Sequence, residues 1–419
     1  MMMLEKTSVI SLESLDCLPQ QNFERAMASF YQAAVDLQLP VALWRYPQSD
    51  ERQALVDFNG LARPTKIDFT TSRPGFAFSP FVNDDGTATL FIQADLHLQQ
   101  TGHTFYNHDS PFGNPLENNN KIRFLNLYQQ LFESNTRIGQ SWIASQTQPH
   151  LCSKTEYCGL VTAAIEYIKS TGIKKVVTSR ATETLLPPTF NPLNTFDALC
   201  QRYPHAFVSL VSIPTVGTWI GVSPELLLRV KDNKVETVAL AGTQPRQSST
   251  PLSAVQWGAK EIEEQALVSD YIRYFLQRTQ PDHFSEVGPH TVSAGQIVHL
   301  QTKFKVKLAE PHLSQLANQI LHELHPTSAV CGMPKKEALS FILEKENYER
   351  AFYSGFLGPV HLNQQSHLFV NLRCMQLKQH SAILYVGGGI TKDSAPQAEW
   401  TETVLKSRTL LNVLQPEVI

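Results

Sequence analysis

The 419-residue chain lacks any block of basic residues, and its formal net charge is −3 with a sequence pI near 6.5. Proteins that bind nucleic acids or anionic membrane surfaces carry clustered lysine and arginine, so we expect neither partner and take a small molecule as the ligand. No apolar run approaches the roughly 20 residues that cross a bilayer, and residues 1–17 lack the basic and apolar regions of a secretion signal. The cytoplasm is therefore the expected location.

Metal-binding cysteine pairs and nucleotide-binding glycine loops are also missing. The six cysteines are scattered without a C-x-x-C pair or a partnered histidine, which argues against a zinc site and a disulfide scaffold. Neither G-x-G-x-x-G after a strand nor G-x-x-x-x-G-K-[ST] occurs. The sequence therefore argues against a dinucleotide-dependent or P-loop enzyme.

The chain does contain many short runs with strand character and a few long amphipathic segments. With 42% hydrophobic residues it can bury a large core. So many strands with long helices among them predict an α+β fold of two stacked, mainly antiparallel β-sheets flanked by helices. Residues 106–121 are polar and rich in Asn, Pro and Gly, which predicts an exposed loop.

Residues 385–403 combine a strand, a loop with three consecutive glycines, and a helix predicted to start at about Ala395. Glu399 and Glu402 are three apart and project from one face of that helix. Together with free loop amides they could hold a divalent cation beside an anionic ligand. The alternative is a solvated helix start in which Glu402 pairs with Lys406.

A second helix, beginning near residue 259, repeats this pattern. Glu261 and Glu264 start the stripe that continues along its apolar face, where carboxylates need a cation or a metal ion. The alternative is that these first turns are solvated. Four glutamates offer hard oxygen ligands, which suit Mg²⁺ better than zinc, although the sequence alone does not establish that the two helices meet.

Two residues are candidates for acid–base chemistry. Glu225 precedes the apolar run 226–228, where loss of hydration would raise its proton affinity as a general acid requires. Lys175 shares a strand face with Val177 and Ser179, and if that face points inward it could act as a base. The alternative for both residues is a solvated strand end.

The order of the motifs resembles that of the chorismate-utilising enzyme family over roughly residues 154–414. The resemblance implies a helix-flanked pair of antiparallel sheets around the active site, with residues 1–150 completing the fold and 151–419 forming the catalytic region. The matching segments are 175–180, 221–226, 240–246, 259–264, 325–327, 332–334, 353–355, 371–373 and the stretch around Glu399 and Glu402.

Three positions narrow the reaction that the resemblance implies. Lys175 stands where ammonia-using members carry glutamine, and Ala241 where aminodeoxychorismate synthases carry a reactive lysine, so water is the expected nucleophile. Ala329 matches isochorismate synthases, whereas salicylate synthases tend to have threonine there. The resemblance therefore implies an Mg²⁺-dependent isochorismate synthase for menaquinone or siderophore biosynthesis, without an obligatory glutaminase subunit. Alternatives are a salicylate synthase, an anthranilate synthase-type subunit and a non-catalytic chorismate-binding relative.

The resemblance also implies a role for each site residue. Lys175 would be the base and Glu225 the acid, while Glu264 and Glu402, supported by Glu261 and Glu399, would hold Mg²⁺. Thr178 and Gln244 depart from the family pattern, but neither falls on an expected catalytic group. The expected chorismate-binding residues are Gly242, Thr243, Tyr353, Arg373, Gly387, Gly389 and Lys406.

Overall fold

The computed structural model describes residues 20–106, 115–134, 141–245, 251–279, 284–294 and 297–414. Within these ranges the chain forms eight α-helices and a single 3₁₀ turn at Leu252–Ala254. The helices are α1 (Gln20–Asp36), α2 (Pro115–Glu133), α3 (Lys154–Thr171), α4 (Pro192–Arg202), α5 (Ala259–Thr279), α6 (His312–Leu324), α7 (Lys335–Lys345) and α8 (Pro396–Leu414).

Nineteen strands accompany these helices in the described part of the chain. The first seven are β1 (Val41–Arg45), β2 (Arg52–Val56), β3 (Arg63–Thr65), β4 (Gly75–Ser79), β5 (Thr89–Gln93), β6 (Leu96–Gln99) and β7 (Gly102–Phe105). The next seven are β8 (Lys175–Leu185), β9 (Phe207–Ile213), β10 (Gly217–Ser223), β11 (Leu226–Lys231), β12 (Lys234–Pro245), β13 (Phe284–Ala294) and β14 (Ile297–Lys307). The last five are β15 (Gly332–Met333), β16 (Phe356–Val360), β17 (Ser366–Val370), β18 (Cys374–Leu377) and β19 (Ser381–Ile390).

The strands form two sheets, and each sheet combines strands from the first third of the chain with strands from its later part. One sheet has ten strands in the order β15-β8-β19-β18-β10-β9-β1-β2-β6-β7, and the other has nine in the order β13-β14-β12-β11-β17-β16-β4-β5-β3. Each registered strand pair is antiparallel, for example β19 with β8 and β12 with β14. The predicted α+β fold with two antiparallel sheets and flanking helices is confirmed.

Strands from the first third of the chain extend both sheets. β1, β2, β6 and β7 continue the ten-stranded sheet beyond β9, while β4, β5 and β3 continue the nine-stranded sheet beyond β16. The chain therefore crosses between the sheets twice before β8, once between β2 and β3 and once between β5 and β6. The division of the chain at residue 150 stays a prediction.

The predicted loop at residues 106–121 is wrong in its second half. Residues 107–114 lie outside the described residues, but α2 begins at Pro115, so 115–121 are helical. Proline is favoured in the first turn of a helix, where its missing N–H costs no hydrogen bond. The asparagines at 118–120 lie within the first turns of α2, and Asn120 donates from Nδ2 to the carbonyl oxygen of Phe58 at 2.8 Å.

A strand pairing and a helix–sheet contact position the segments that carry the predicted site residues. β19 runs beside β8 with Gly389 opposite Val177 and Gly387 opposite Ser179, and α8 then returns across β19. α5 packs on β12, next to the nine-stranded sheet. None of the helices within the described ranges is long and apolar enough to cross a membrane.

Candidate active site

Glycines of β19 form one wall of a buried cavity. Because they have no side chains, atoms of other elements approach them closely. A Cβ atom added at Gly389 would lie 2.6 Å from Oε1 of Glu264 and 2.7 Å from Cε of Lys175. A Cβ atom at Gly387 would lie 2.6 Å from the carbonyl oxygen of Thr178. Both separations are far below van der Waals contact. At Gly387 the obstacle is backbone, which strongly favours glycine, whereas at Gly389 a larger residue would displace the side chains of Glu264 and Lys175.

Lys175 begins β8 and is almost fully buried, with 1% of its side chain exposed. Its Nζ donates to Oε1 of Glu264 from α5 at 2.7 Å. Burial opposes ionisation of Glu264, but the charge and hydrogen bond of Lys175, with further lysines nearby, hold the pKa of this carboxyl below its ordinary value. The inward strand face predicted for Lys175 is present, and the ammonium meets a carboxylate there.

Glu225 lies between β10 and β11 and is 4% exposed. Burial raises the pKa of its carboxyl to about 7, and the positive charge of Lys175 only partly offsets that rise. Thr327 donates weakly to Oε1 at 3.4 Å. A carboxyl with this proton affinity can hold a proton near neutral pH, as a general acid must.

Arg373 belongs to a hydrogen-bonded chain that the sequence reading missed. Its Nη2 donates to Nε2 of His299 at 2.7 Å, and Nδ1 of His299 lies 3.0 Å from the carbonyl oxygen of Gly242. Burial lowers the pKa of His299 to about 3, so the ring is neutral. Since a guanidinium can only donate, Nε2 accepts and the proton resides on Nδ1. A lone histidine within the apolar start of β14 was the available signal.

The remaining predicted substrate-binding residues border the same cavity. Lys406 on α8 donates to the carbonyl oxygen of Gly387 at 3.0 Å. Tyr353 is buried, and its hydroxyl lies 2.9 Å from where a Cβ of Gly387 would be. Thr243 places Oγ1 3.2 Å from Nδ1 of His299. Lysine, arginine, hydroxyl and backbone groups thus surround one space that suits an anionic ligand.

The four predicted metal ligands lie on α5 and α8, and three of them pair with lysines. Glu264 pairs with Lys175, Glu402 with Lys406 at 2.8 Å, and Glu399 with Lys260 at 2.9 Å. Glu261 instead has its Oε2 2.7 Å from where a Cβ of Gly258 would be. Within the described ranges, no three His, Cys, Asp or Glu side chains converge closely enough to form a metal cluster.

One oxygen among these glutamates points to a cation. Oε2 of Glu399 is buried and has no hydrogen-bond partner within the described structure. It lies 3.3 Å from where a Cβ of Gly388 would be, and Oε1 of Glu402 lies 3.9 Å from that same point. A buried carboxylate oxygen without a donor is costly unless a cation neutralises it. Carboxylate oxygens with unused lone pairs are suitable ligands for a hard cation such as Mg²⁺.

These residues enclose a cavity of about 90 Å³ between the two sheets. A larger cavity of about 650 Å³ adjoins it and shares the wall of His299 and Arg373. The smaller cavity brings the candidate acid Glu225 together with Glu264, Glu402 and Lys406. Its lining includes Glu225, Ala241, Gly242, Thr243, Glu264, His299, Ala329, Tyr353, Arg373, Gly387, Gly389, Glu402 and Lys406.

Two antiparallel sheets with a cavity between them that is lined by glutamates, lysine, arginine and glycines are the features of one protein family. The family model described as chorismate binding enzyme matches residues 75–415. The chain belongs to this family. The match begins well before residue 154, where the sequence resemblance began, and so includes strands of the first third of the chain.

Several curated relatives share this region. The vibriobactin-specific isochorismate synthase of Vibrio cholerae is 28% identical over 264 residues, or 62% of this chain and 66% of that protein. Isochorismate synthase EntC of Escherichia coli is 28% identical over 265 residues, 62% of this chain and 67% of that protein. Isochorismate synthase MenF of Escherichia coli is 29% identical over 285 residues, 66% of this chain and 64% of that protein. The matched segments thus span about two thirds of these relatives.

Solved structures extend the likeness in fold to nearly the whole chain. The menaquinone-specific isochorismate synthase from Escherichia coli superposes with a TM-score of 0.71 and 22% identity, covering 93% of this chain and 91% of that one. Anthranilate synthase component I from Streptococcus pneumoniae gives a TM-score of 0.60 and 18% identity, covering 88% and 90%. At these identities the comparison concerns the fold.

Proposed function

We propose that the chain is an Mg²⁺-dependent isochorismate synthase. It would convert chorismate to isochorismate by adding water at C2 while the C4 hydroxyl leaves. The observation that carries this proposal is one buried, glycine-walled cavity that is lined by Glu225, Glu264 and Glu402, with Lys175 bonded to Glu264 beside it. The relatives named above, isochorismate synthases by name, support the same reaction.

Lys175 is the base in this proposal. It lies at the start of β8 with its ammonium on Glu264, on the cavity side of the sheet. In the reacting state Lys175 would be the neutral amine, and Nζ would accept a proton from the water that attacks C2. Return of that proton to Glu225, which has donated its own at C4, would restore both groups for the next turnover. The burial that surrounds Lys175 leaves it few alternative proton partners, which favours transfer within the site.

Glu225 is the acid at the other end of the displacement. Its raised pKa, near 7, supplies a protonated carboxyl that can donate to the departing C4 hydroxyl. Lys175 is close enough to influence that pKa, so base and acid share one site. The proton taken from water at C2 and the proton given to the leaving hydroxyl at C4 balance over the reaction.

The anionic groups of chorismate would be held by the cationic and backbone groups of the cavity. Arg373, kept in place by His299, and Tyr353 are the candidates for the enolpyruvyl carboxylate, where a planar guanidinium matches two oxygens. Gly242, Thr243, Gly387, Gly389 and Lys406 line the remaining anion sites.

Glu264 and Glu402, with Glu261 and Glu399 in support, are the residues that would hold Mg²⁺. When bound, the ion would supply positive charge beside the ring carboxylate of the substrate. The unpartnered Oε2 of Glu399 supports this assignment. Lys175, Lys260 and Lys406 pair with Glu264, Glu399 and Glu402 and place positive charge beside these carboxyl groups.

Ala329 in the cavity wall supports isochorismate as the final product, without pyruvate elimination. Relatives from both menaquinone and siderophore pathways match the chain, so either route is a proposed destination. We place the enzyme in the cytoplasm, acting without a glutaminase subunit.

The test is an incubation of purified protein with chorismate and Mg²⁺, followed by chromatographic separation of the products. Isochorismate is expected, and a parallel sample with a chelator should lose the activity. Salicylate with pyruvate would overturn the assigned product. Anthranilate formed only with added ammonium would overturn the choice of water as nucleophile, and binding without turnover would overturn the assignment as an enzyme.

A further inference from the structure

Behind the cavity lies a buried ion pair that the reaction as proposed does not use. Arg350 donates from Nε to Oε2 of Glu346 at 2.7 Å and from Nη2 to Oε1 at 2.6 Å. Both side chains are 2% exposed. This is a two-pronged guanidinium–carboxylate contact, a geometry that lysine does not reproduce.

The guanidinium of Arg350 also bonds carbonyl oxygens of two neighbouring segments that both line the cavity and are already joined by a backbone hydrogen bond from Val177 to Cys331. Nη1 donates to Val330 at 2.9 Å, and Nη2 donates to Val177 at 2.7 Å. Val177 is two residues after Lys175 on β8, and Val330 follows Ala329. One side chain therefore ties the strand that carries the proposed base to the segment that carries the product-determining alanine.

Glu346 anchors this guanidinium to a further point on β8. Its Oε1 accepts from the backbone N–H of Ser179 at 2.7 Å and from Oγ of Ser179 at 2.9 Å. Ser179 in turn lies opposite Gly387 of β19, in the glycine wall. The pair thus spans the base strand, the glycine wall and the segment of residues 327–331.

The segment 327–331 reaches the proposed acid as well. Thr327 donates to Oε1 of Glu225, and its carbonyl oxygen accepts from the N–H groups of Val330 and Cys331. A shift of Val330 is therefore transmitted to Thr327 through a tight turn. Because a displacement of about 1 Å can cost about a hundredfold in rate, a contact that fixes this turn can govern turnover.

We propose that Arg350, oriented by Glu346, is a positioning residue that holds the turn at residues 327–330 in a fixed position against the Lys175 strand, beyond what the backbone pairing of β15 with β8 provides. The inference rests on the proposed function for its kinetic consequence. A buried ion pair by itself adds little net stability over an apolar pair, because desolvation offsets the attraction. Its use here is geometric: two donors of one rigid plane hold two segments in register.

The test compares Arg350→Lys with Arg273→Lys. Arg273 forms the same kind of two-pronged contact with Glu286, but on the outer part of α5 and partly exposed. Arg350→Lys should lower kcat about ten- to hundredfold with little change in KM, by the displacement argument above. The falling limb of its pH–rate profile should move to higher pH, because the weakened Thr327 bond no longer favours the ionised form of Glu225. Arg273→Lys should change neither quantity.

Hydrogen–deuterium exchange provides a second readout that needs no turnover. In Arg350→Lys, the amides of residues 176–180 and 329–332 should exchange faster than in wild type, while those of α1 stay protected. Glu346→Gln, which retains an oxygen acceptor, should fall between wild type and Arg350→Lys in both measurements. Unchanged exchange in these segments, or an unchanged kcat with only a lower melting temperature, overturns the positioning role.

The wild-type sample separates the two proposals. If wild type makes no isochorismate, the proposed function fails, and the exchange comparison alone decides whether Arg350 holds the turn against the strand. If wild type is active and the exchange pattern of Arg350→Lys is that of wild type, the positioning role fails while the proposed function stands.

Discussion

Two buried carboxyls in this molecule have the same raised proton affinity in different surroundings. Burial raises the pKa of Glu225 to about 7, and burial together with the nearby Asp95 raises that of Asp57 to about 7. Asp57 follows β2 in the N-terminal third, whereas Glu225 lies between β10 and β11. The carboxyl of Asp57 is hydrogen-bonded by nearby residues such as Asn59, whereas the carboxyl of Glu225 borders the cavity.

The difference lies in how their oxygens are used. Oδ1 of Asp57 accepts from the N–H and the side-chain amide of Asn59, and Oδ2 accepts from the N–H of Gln93. These bonds fix a turn. Glu225 has only the weak contact from Thr327, and the charge that acts on it most strongly is the positive charge of Lys175. A raised pKa therefore marks a candidate acid only where the carboxyl faces open space and a cationic partner.

The largest expected effect comes from removing Lys175, the cation whose presence near Glu225 distinguishes the surroundings of that carboxyl from those of Asp57. Lys175→Ala should lower kcat by about 10³–10⁴, at the upper end for loss of an acid–base group. It removes the ion pair of Glu264 but also the positive charge that favours the ionised carboxylate, so Mg²⁺ affinity measured by calorimetry should stay close to that of wild type. Turnover comparable to wild type would contradict the role as base, and a large change in Mg²⁺ affinity would contradict the balance of these two effects at Glu264.

The next effect concerns the acid itself. Glu225→Gln keeps the size of the side chain but has no proton to donate, so kcat should fall about 10²–10³-fold. Steady-state kinetics should show little change in KM, since the substrate anions are held elsewhere. A variant with wild-type kcat would show that the carboxyl of Glu225 has no part in the reaction. Glu225 would then be, like Asp57, a buried carboxyl with a raised pKa and no catalytic role.

A smaller effect is shared by both carboxyls and appears in stability. Each has a folded-state pKa near 7, above its ordinary value of 4.5 for Glu225 or 3.8 for Asp57, so the folded state holds more protons than the unfolded state. The stability that each contributes is fully present below its unfolded-state value and is lost as pH rises through 7. Urea unfolding should therefore show falling stability over this window, on the order of 3 kcal/mol per group. Glu225→Gln should reduce the slope, and an unchanged slope would contradict the raised pKa.

The smallest effect on activity is expected at Asp57. Asp57→Asn places an amide where Oδ2 accepted from Gln93, so one donor loses its acceptor, and the free energy of unfolding should fall by about 1–3 kcal/mol. Turnover at a temperature where the variant is folded should equal that of wild type. A loss of kcat without a loss of stability would mean that the enclosed carboxyl also serves the reaction.

The many strand-like runs with long helices among them were enough to predict the fold class. Period two placed Lys175 on one strand face with Val177 and Ser179, and the structure shows that this face points inward. The start of α8 was predicted at about residue 395 and lies at Pro396. The segment 115–121 was misjudged because composition outweighed the helix-starting role of Pro115. Local sequence predicts a helix or a strand well when the residues of that element determine its structure.

Features that depend on contacts between distant elements could not be predicted in this way. The pairing of Lys260 with Glu399 joins α5 to α8, and the bond from Arg373 to His299 joins segments 74 residues apart. Neither follows from spacing along the chain, since both are set by the packing of helices on the two sheets. The sequence supplied the charged groups, and the fold decided which of them meet.

The most direct measurement of the central claim follows the oxygen atom during turnover in H₂¹⁸O. If Lys175 activates water for attack at C2 while Glu225 releases the C4 hydroxyl, mass spectrometry of the earliest isochorismate formed should find one ¹⁸O, located at C2. Isochorismate without the label would show that the hydroxyl moved within the substrate, and it would contradict the acid–base assignment of both residues.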